Sequence, residues 1–185
     1  MTPSLDIIIV NWNSGKQLHQ CLASIERADK TGFVILRICI VDNASSDCSM
    51  DSISNYNNIL PIQIIRNKEN KGFAAACNQG ANCSQSDYLL FLNPDVNLFD
   101  NSLKVSIAFM EQPENHMIGI IGVQLLDDSG NVARTCSRFP TLVTFFSQIL
   151  GLNHIFPGYF PSHFMKEWDH RESREVDQVM GAFFL

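Results

Sequence analysis

Residues 5–15 read Leu-Asp-Ile-Ile-Ile-Val-Asn-Trp-Asn-Ser-Gly, and this stretch decides the fold. From Leu5 to Val10 the run is apolar apart from Asp6. An unbroken run of this length suits a strand buried on both faces, as in a parallel sheet, rather than an alternating half-exposed one. Ser14 and Gly15 then open a helix, with Leu18, Cys21, Leu22 and Ile25 at the i, i+3, i+4, i+7 spacing of one buried face.

The same alternation continues outward. A second strand runs from Phe33 to Val41 and ends in Asp42 and Asn43. Ser45, Ser46 and Asp47 then offer an N-cap for a short helix toward Tyr56. Residues 61–66 read as a third strand. Residues 73 to about 83 read as an alanine-rich helix with Phe73, Ala76, Cys77 and Gly80 along one side. Tyr88 to Leu92 is a fourth strand, and Leu103, Ile107 and Met110 mark the helix after it, which ends before Pro113. Residues 117–126 form a fifth apolar run, and 127–131 a turn with hairpin character. This order predicts an α/β fold: a Rossmann-like, mostly parallel sheet with helices on both faces. Ligands of such sheets bind outside the carboxyl ends of the strands. Asn11 and Asn13, Asp42 and Asn43, residues 67–72, and residues 93–95 are therefore expected to converge on one edge.

Composition narrows the function classes. The chain has 185 residues, of which 45% are hydrophobic and 17% charged, so a sizeable core is expected and disorder is not. A net charge of −6 argues against a general nucleic-acid binder, which needs a basic face. One bound phosphate group is still compatible with it, because backbone N–H groups and a metal can hold that. No apolar stretch reaches membrane-span length, and the N-terminus lacks the basic region of a signal peptide. The six cysteines show no C-x-x-C spacing, and a reduced, cytoplasmic protein with mostly buried thiols is expected. Eight of the thirteen phenylalanines lie between Phe139 and Phe184, which makes the last third distinct. Leu142, Phe145, Phe146 and Ile149 mark an amphipathic helix there, and residues 151–174 read as a long loop. Buried packing is the expected role of these phenylalanines, with a membrane surface or lipid-linked ligand as the alternative. The apolar ending at residues 180–185 has no polar cap, and the expectation is a chain cut inside its fold.

The strand ends carry the chemistry. The turn at residues 11–15 is not a glycine-rich dinucleotide fingerprint, which disfavours a Rossmann dehydrogenase. Its asparagines suit the edge of a nucleobase, although asparagine is also a common turn residue. Asp42 stands too early to cap a helix comfortably, so the role of acceptor for a base N–H or ribose hydroxyl weighs evenly against a cap, whereas Asp47 reads as an N-cap. Gly72 frees the backbone where the alanine-rich helix begins. Ala74, Ala75 and Ala76 keep its first turn small, so a ligand can approach the free N–H groups, and Asn78 lies one turn in. Tight helix-on-sheet packing wants the same small residues. Pro94 rigidifies the turn after the fourth strand and places Asn93 and Asp95 at the ligand edge. One carboxylate with an amide neighbour can hold Mg2+ or Mn2+ if ligand phosphates and water complete the shell. The competing role of Asp95 is a helix cap.

Taken together, IIIVNWNSG, VDNASSD, NKGFAAACNQG, YLLFLNPD and MGAFFL resemble the family 2 glycosyltransferases of the GT-A fold, most closely the rhamnosyltransferase-like branch that builds cell-surface polysaccharides. The resemblance spans nearly the whole chain, in order. It implies inverting, metal-assisted transfer of a sugar from a UDP- or dTDP-linked donor, rhamnose among the candidates, to a saccharide or lipid-linked acceptor. Ile9, Val10 and Asn11 match the segment that lines the base, and Asp42 the acidic residue that bonds it. Lys71, Gly72 and Asn78 match the segment flanking the nucleotide. Asn93 and Asp95 match the first and last positions of an Asp-x-Asp motif, with Asp95 as metal ligand and Mg2+ or Mn2+ as cofactor. Asn93 departs from the commoner aspartate and would bind a cation more weakly. Arg134 and Arg138, with Phe139 and Pro140, resemble a basic loop near the diphosphate or acceptor. The family's general base belongs to an acidic motif expected beyond Leu185; Asp169, Glu172, Glu175 and Asp177 do not stand in it. Residues 1–134 are thus expected to bind donor and 135–185 to begin an acceptor-side region. Peripheral association with the inner face of a membrane is compatible with this reading. The alternatives are a non-catalytic nucleotide-binding module and a sugar-phosphate nucleotidyltransferase. The latter needs a glycine-rich basic loop that residues 11–15 do not supply.

Overall fold

The N-terminal apolar run forms β1 (Ser4–Asn11), with every residue after Ser4 buried. The structure, a computed structural model, describes residues 2–51, 53–82, 84–133, 135–156, 159–160, 163, 165, 168–179 and 181–185. β1 pairs in parallel with β2 (Val34–Asp42) on one side and with β4 (Tyr88–Leu92) on the other, and β2 pairs in parallel with β3 (Ile62–Arg66). A last strand, β9 (Phe183–Phe184), joins β4 antiparallel, so the sheet order is β3-β2-β1-β4-β9. The residues at 181–185 that looked like a bare apolar ending are thus part of the sheet: Phe183 is buried, and Leu185 exchanges two backbone bonds with Ile121, at 2.8 and 3.1 Å.

Both faces of the sheet are covered. Ile8, Val10, Cys39 and Val41 pack with Ala76 and Cys77 of α2 (Phe73–Ala81). The intervening Ile7, Ile9, Ile38 and Ile40 point the other way by strand alternation and are just as buried. α1 (Gln17–Arg27) buries Leu18, Cys21, Leu22 and Ile25, the predicted stripe. α3 (Ser102–Met110) buries Leu103 and Ile107, and Lys104 ties it to Asp29 just beyond α1 at 2.7 Å. Gly80 shows how closely α2 lies on the sheet: a Cβ there would come within 2.5 Å of Ile8 Cγ2 and 3.0 Å of Val41 Cγ2. Asp6, buried within β1, forms an ion pair with Arg37 at 2.8 Å and accepts from its Nε at 3.0 Å and from Ser84 at 2.8 Å; Arg37 also donates to the Gly80 carbonyl at 3.2 Å. The one charge in the first strand is therefore neutralised and bonded, as a buried carboxylate must be.

Packing divides the chain into two units: Met1–Ile121 with Gly181–Leu185, and Gly122–Met180. The first holds the sheet described above. In the second, β5 (Leu125–Leu126) and β6 (Val132–Ala133) form the hairpin expected around 127–131. Its turn is closed by Asp127, whose carboxylate accepts the N–H groups of Ser129 and Asn131 at 2.9 and 2.8 Å. β7 (Cys136–Ser137) pairs antiparallel with β8 (Gln178–Val179), and α4 (Leu142–Ile149) and α5 (Leu152–Ile155) lie between them in the chain. His170 stacks on Trp168 with ring centroids 4.1 Å apart.

Several expectations change. The helix proposed toward Tyr56 is two short 3-10 turns, Cys48–Met50 and Ile53–Tyr56. The apolar run at 117–126 is strand only at its last two residues, and Met117 and Ile120 are exposed. α4 forms where predicted but is inverted. Ser147, on its polar side, is buried, while Leu142, Val143, Phe145, Phe146 and Ile149 are exposed, so packing against the described residues does not account for these phenylalanines. Of the cysteines, Cys21, Cys39, Cys77 and Cys136 are buried, Cys48 is exposed, and all five are free; Cys83 lies outside the described residues. So do Arg134, Pro157, Pro161 and Met180.

Candidate functional site

Four strands in parallel present their carboxyl ends at one edge, so the polar clusters named from sequence arrive there together. Asn11 and Asp42 are register partners across β1 and β2, and Asp42 and Arg66 across β2 and β3. Asn11 is wholly buried. Its Nδ2 donates to Ser49 Oγ at 2.8 Å, Ser45 Oγ at 3.0 Å and Asp42 Oδ1 at 3.3 Å, and its Oδ1 accepts from the Ser14 hydroxyl. Both N–H donors of this amide and one lone pair of its oxygen are engaged inside the protein. Asn11 therefore acts as a strut that joins the two loops. Ile9 and Val10 are likewise core side chains, and only their backbone lies near the edge.

The loops after β1 and β2 are laced together. Asn13 sits in the left-handed region at φ 52°, donates its N–H to Ser45 Oγ at 3.0 Å and accepts from Ser46 N–H at 2.8 Å. Asp47 caps the turn at Ser49 N–H at 3.1 Å, as expected, and also accepts from Gly15 N–H at 2.7 Å. Hydrogen bonds from Ser49 first, and from backbone N–H groups, hold its carboxyl below the usual carboxylate range. Trp12, carried by this rigid turn, is 58% exposed. It is not among the residues expected from sequence, yet its signal stands there: a large aromatic between two turn asparagines at the end of a buried strand.

Asp42 is buried, with Oδ1 taken by Asn11 and by Ser45 N–H at 3.2 Å. Its Oδ2 faces the exposed Arg66 at 3.8 Å, too far for a hydrogen bond, and so keeps its acceptor capacity. Asn43 beside it is also buried and reaches into residues 67–72. Lys71 and Gly72 are exposed at the start of α2. Gly72 has φ 83°, and a Cβ there would meet open space, so the backbone angle is what requires glycine. Ala74 and Ala75 are exposed, whereas Ala76 and Gly80 face the sheet, so the two roles weighed for the small residues fall on different positions. Asn78 is exposed on the solvent side of α2, away from the Ala76, Cys77 and Gly80 face.

At the end of β4, Asn93 is half-buried; its N–H donates to the Ala182 carbonyl at 3.0 Å and its own carbonyl lies 3.8 Å from Cys21 Sγ. Asp95 is exposed, and among the described residues no hydrogen bond or ion pair engages its carboxylate. Burial, and then the Asp95 charge, push the Cys21 thiol up to about 12. Among the described residues no cluster of three His, Cys, Asp or Glu could hold a metal. The donor set of one free carboxylate and one amide fits a hard divalent cation only where ligand phosphates and water supply most of the shell. Arg138 and Phe139 belong to the second unit; the Phe139 N–H donates to Asp177 at 3.0 Å.

The Glycosyl transferase family 2 model matches residues 6–167. The chain belongs to that family. This family 2 chain is 30% identical over 114 residues to an uncharacterized glycosyltransferase of Haemophilus influenzae, covering 60% of this chain and 36% of that one. Its fold matches S. aureus TarS 1-349, solved in complex with UDP-GlcNAc, at TM-score 0.60 and 21% identity, over 80% of this chain and 42% of that one. It also matches the mannosyltransferase PcManGT of Pyrobaculum calidifontis, solved with GDP-Man and Mn2+, at TM-score 0.58 and 16% identity, over 69% and 36%. The sheet of this family 2 chain is thus a GT-A fold. The chain spans less than half the length of each of these relatives.

Proposed function

We propose that the carboxyl edge of the sheet binds a nucleoside-diphosphate sugar and that the chain is the donor-binding part of an inverting glycosyltransferase. The observation that carries the reading is the convergence of Trp12, Asp42, Lys71 and Asp95 on the ends of adjacent parallel strands. Each supplies a different part of the recognition. The Trp12 ring offers a face for a base, and Asp42 Oδ2 accepts a base N–H. Lys71, whose N–H is bonded to Asn43 beside Asp42, flanks the nucleotide and supplies positive charge there. Asn93 and Asp95 would hold Mg2+ or Mn2+ together with the diphosphate. The cation would neutralise charge that develops on the leaving group. Membership of family 2 and the complexes of TarS and PcManGT with nucleotide sugars support this reading.

The finer assignment follows the sequence motifs: a UDP- or dTDP-linked donor, rhamnose included, and a saccharide or lipid-linked acceptor in cell-surface polysaccharide synthesis at the cytoplasmic side of the membrane. Among the described residues no helix is long and apolar enough to cross a membrane. The reading assigns the general base to none of residues 1–185, so donor binding is expected without efficient transfer.

Calorimetric titration with UDP-, dTDP- and GDP-sugars, with and without Mn2+, tests it. Binding is expected for at least one donor, strengthened by Mn2+, and Asp95→Ala should weaken the Mn2+-dependent binding by about tenfold or more. A wild-type chain silent toward every nucleotide sugar would overturn the donor assignment. Sugar transfer by these 185 residues would overturn the assignment of the base.

A further inference from the structure

We propose that the outward face of α4 docks the second unit on an anionic phospholipid bilayer, with the helix lying in the headgroup region. The inference goes beyond the donor-site reading and needs none of its residues. In an ordinary surface helix the apolar stripe faces the core and the polar side faces water. In α4 the two are exchanged. Ser147 is buried, while Leu142, Phe145, Phe146 and Ile149 are exposed, Leu142 at 77%. These four positions recur at helical spacing, so they share one face, and that face is apolar throughout. Ile155 at the end of α5 and Phe156 after it are exposed as well. Apolar residues exposed singly are ordinary, but a continuous face of them marks an interaction surface.

Two observations say what covers it. The first is charge. Residues 139–165 contain no Asp, Glu, Lys or Arg, in a chain of which 17% is charged. The stretch without acids is longer, 129–166, and by sequence its basic residues are Arg134, Arg138 and Lys166, so it is locally cationic in a chain of net charge −6. A protein partner meets an apolar centre with a polar rim, and nothing in such an interface excludes acidic residues. An anionic headgroup layer does exclude them, and it attracts lysine and arginine beside an apolar segment. The second observation is hydrogen bonding. The boundary of the acyl chains offers few partners, so a helix placed there must satisfy its polar groups within the protein. Thr141 Oγ1 accepts from Thr144 N–H at 3.1 Å. Thr144 Oγ1 accepts from Thr141 N–H at 2.8 Å and donates to the Thr141 carbonyl at 2.8 Å. Ser147 Oγ donates to the Thr144 carbonyl at 3.0 Å. The hydroxyls of this helix and of its N-cap are thus spent on its own backbone.

The test is co-sedimentation of the 185-residue chain with vesicles of phosphatidylcholine alone, or of phosphatidylcholine and phosphatidylglycerol in equal parts, at low and high salt. The wild type should bind the anionic vesicles about tenfold more tightly than the neutral ones, and the difference should shrink at high salt. Phe145→Gln/Ile149→Gln changes two exposed positions to a good helix former. It should weaken binding by about tenfold or more, with circular dichroism and Tm unchanged. Equal binding to the two kinds of vesicle would mark unselective adhesion of apolar side chains, and unchanged binding by the double variant would place the contact elsewhere. Either result overturns the inference. So does absence of binding: a dimer in sedimentation equilibrium that the double variant dissociates would then give the face to a second copy, and a monomer would give it to another protein or another segment of chain. None of these results alters nucleotide titration, so the donor site stands or falls separately.

Discussion

The N–H of Asn93 donates to the carbonyl of Ala182 at 3.0 Å, so the turn that carries Asp95 is shaped by a strand from the far end of the sequence. β4 has β1 on one side and β9 on the other, and Phe183, fully buried, fastens the latter. Phe183→Ala should cost about 3–5 kcal/mol of stability through transfer and cavity terms. It should also weaken Mn2+-dependent nucleotide binding in the fraction that stays folded. Urea unfolding followed by titration under native conditions checks both, and unchanged binding would show that Asn93 and Asp95 hold their place without β9.

Trp12 makes a separate claim. Stacking of a base on an aromatic side chain is worth about 1–3 kcal/mol, so Trp12→Ala should weaken nucleotide binding by on the order of tenfold. The chain has two tryptophans, and Trp168 is already stacked on His170. In a Trp168→Phe background, nucleotide should therefore quench the remaining fluorescence. A flat signal alongside calorimetric binding would place the base elsewhere.

The pair of Asp6 and Arg37 lies toward the opposite end of the strands. Asp6→Ala leaves Arg37 without its partner in a largely buried setting and should cost about 3 kcal/mol. Nucleotide affinity should be unchanged, because Asp6 is five residues from the carboxyl end of β1. A parallel fall in affinity would mean that this pair tunes the site through the sheet.

Asp29 gives an expectation for acid. The Lys104 hydrogen bond first, and the Thr31 bonds next, hold its carboxyl well below the usual carboxylate range. The unfolded value is near 3.9, so the stabilisation is full above about pH 4 and is lost as pH falls through the folded value. Asp29 is only partly buried, so solvent screening keeps the effect small. The Tm of Asp29→Asn should lie below that of wild type at pH 7, and the gap should narrow on acidification from pH 4 toward pH 2. A gap independent of pH would rule out this linkage.

The parallel strands were legible because each is a short, mostly apolar run ended by polar residues. The helix stripe at Leu18, Cys21, Leu22 and Ile25 was legible from its spacing. The role of Asn11 was not: an amide at a strand end looks alike whether it meets a ligand or three neighbouring acceptors, and only the fold brings Ser45, Ser49 and Asp42 to it. The pairing of Phe183 and Phe184 with β4 was hidden by chain distance, since two residues carry too little period to announce a strand. α4 shows the limit of pattern reading. Its periodicity located the helix, but which side faces the protein depends on neighbours that periodicity does not contain.

The paired bonds between Ile121 and Leu185 also carry a consequence for chain entropy. They close a loop of about sixty residues, the whole second unit, with both its ends held in the first. For a flexible loop, each doubling of length adds only about 0.6 kcal/mol to the cost of closure. Lengthening the turn at residues 127–131 by a few residues should therefore add little to the closure cost borne by β4 and β9.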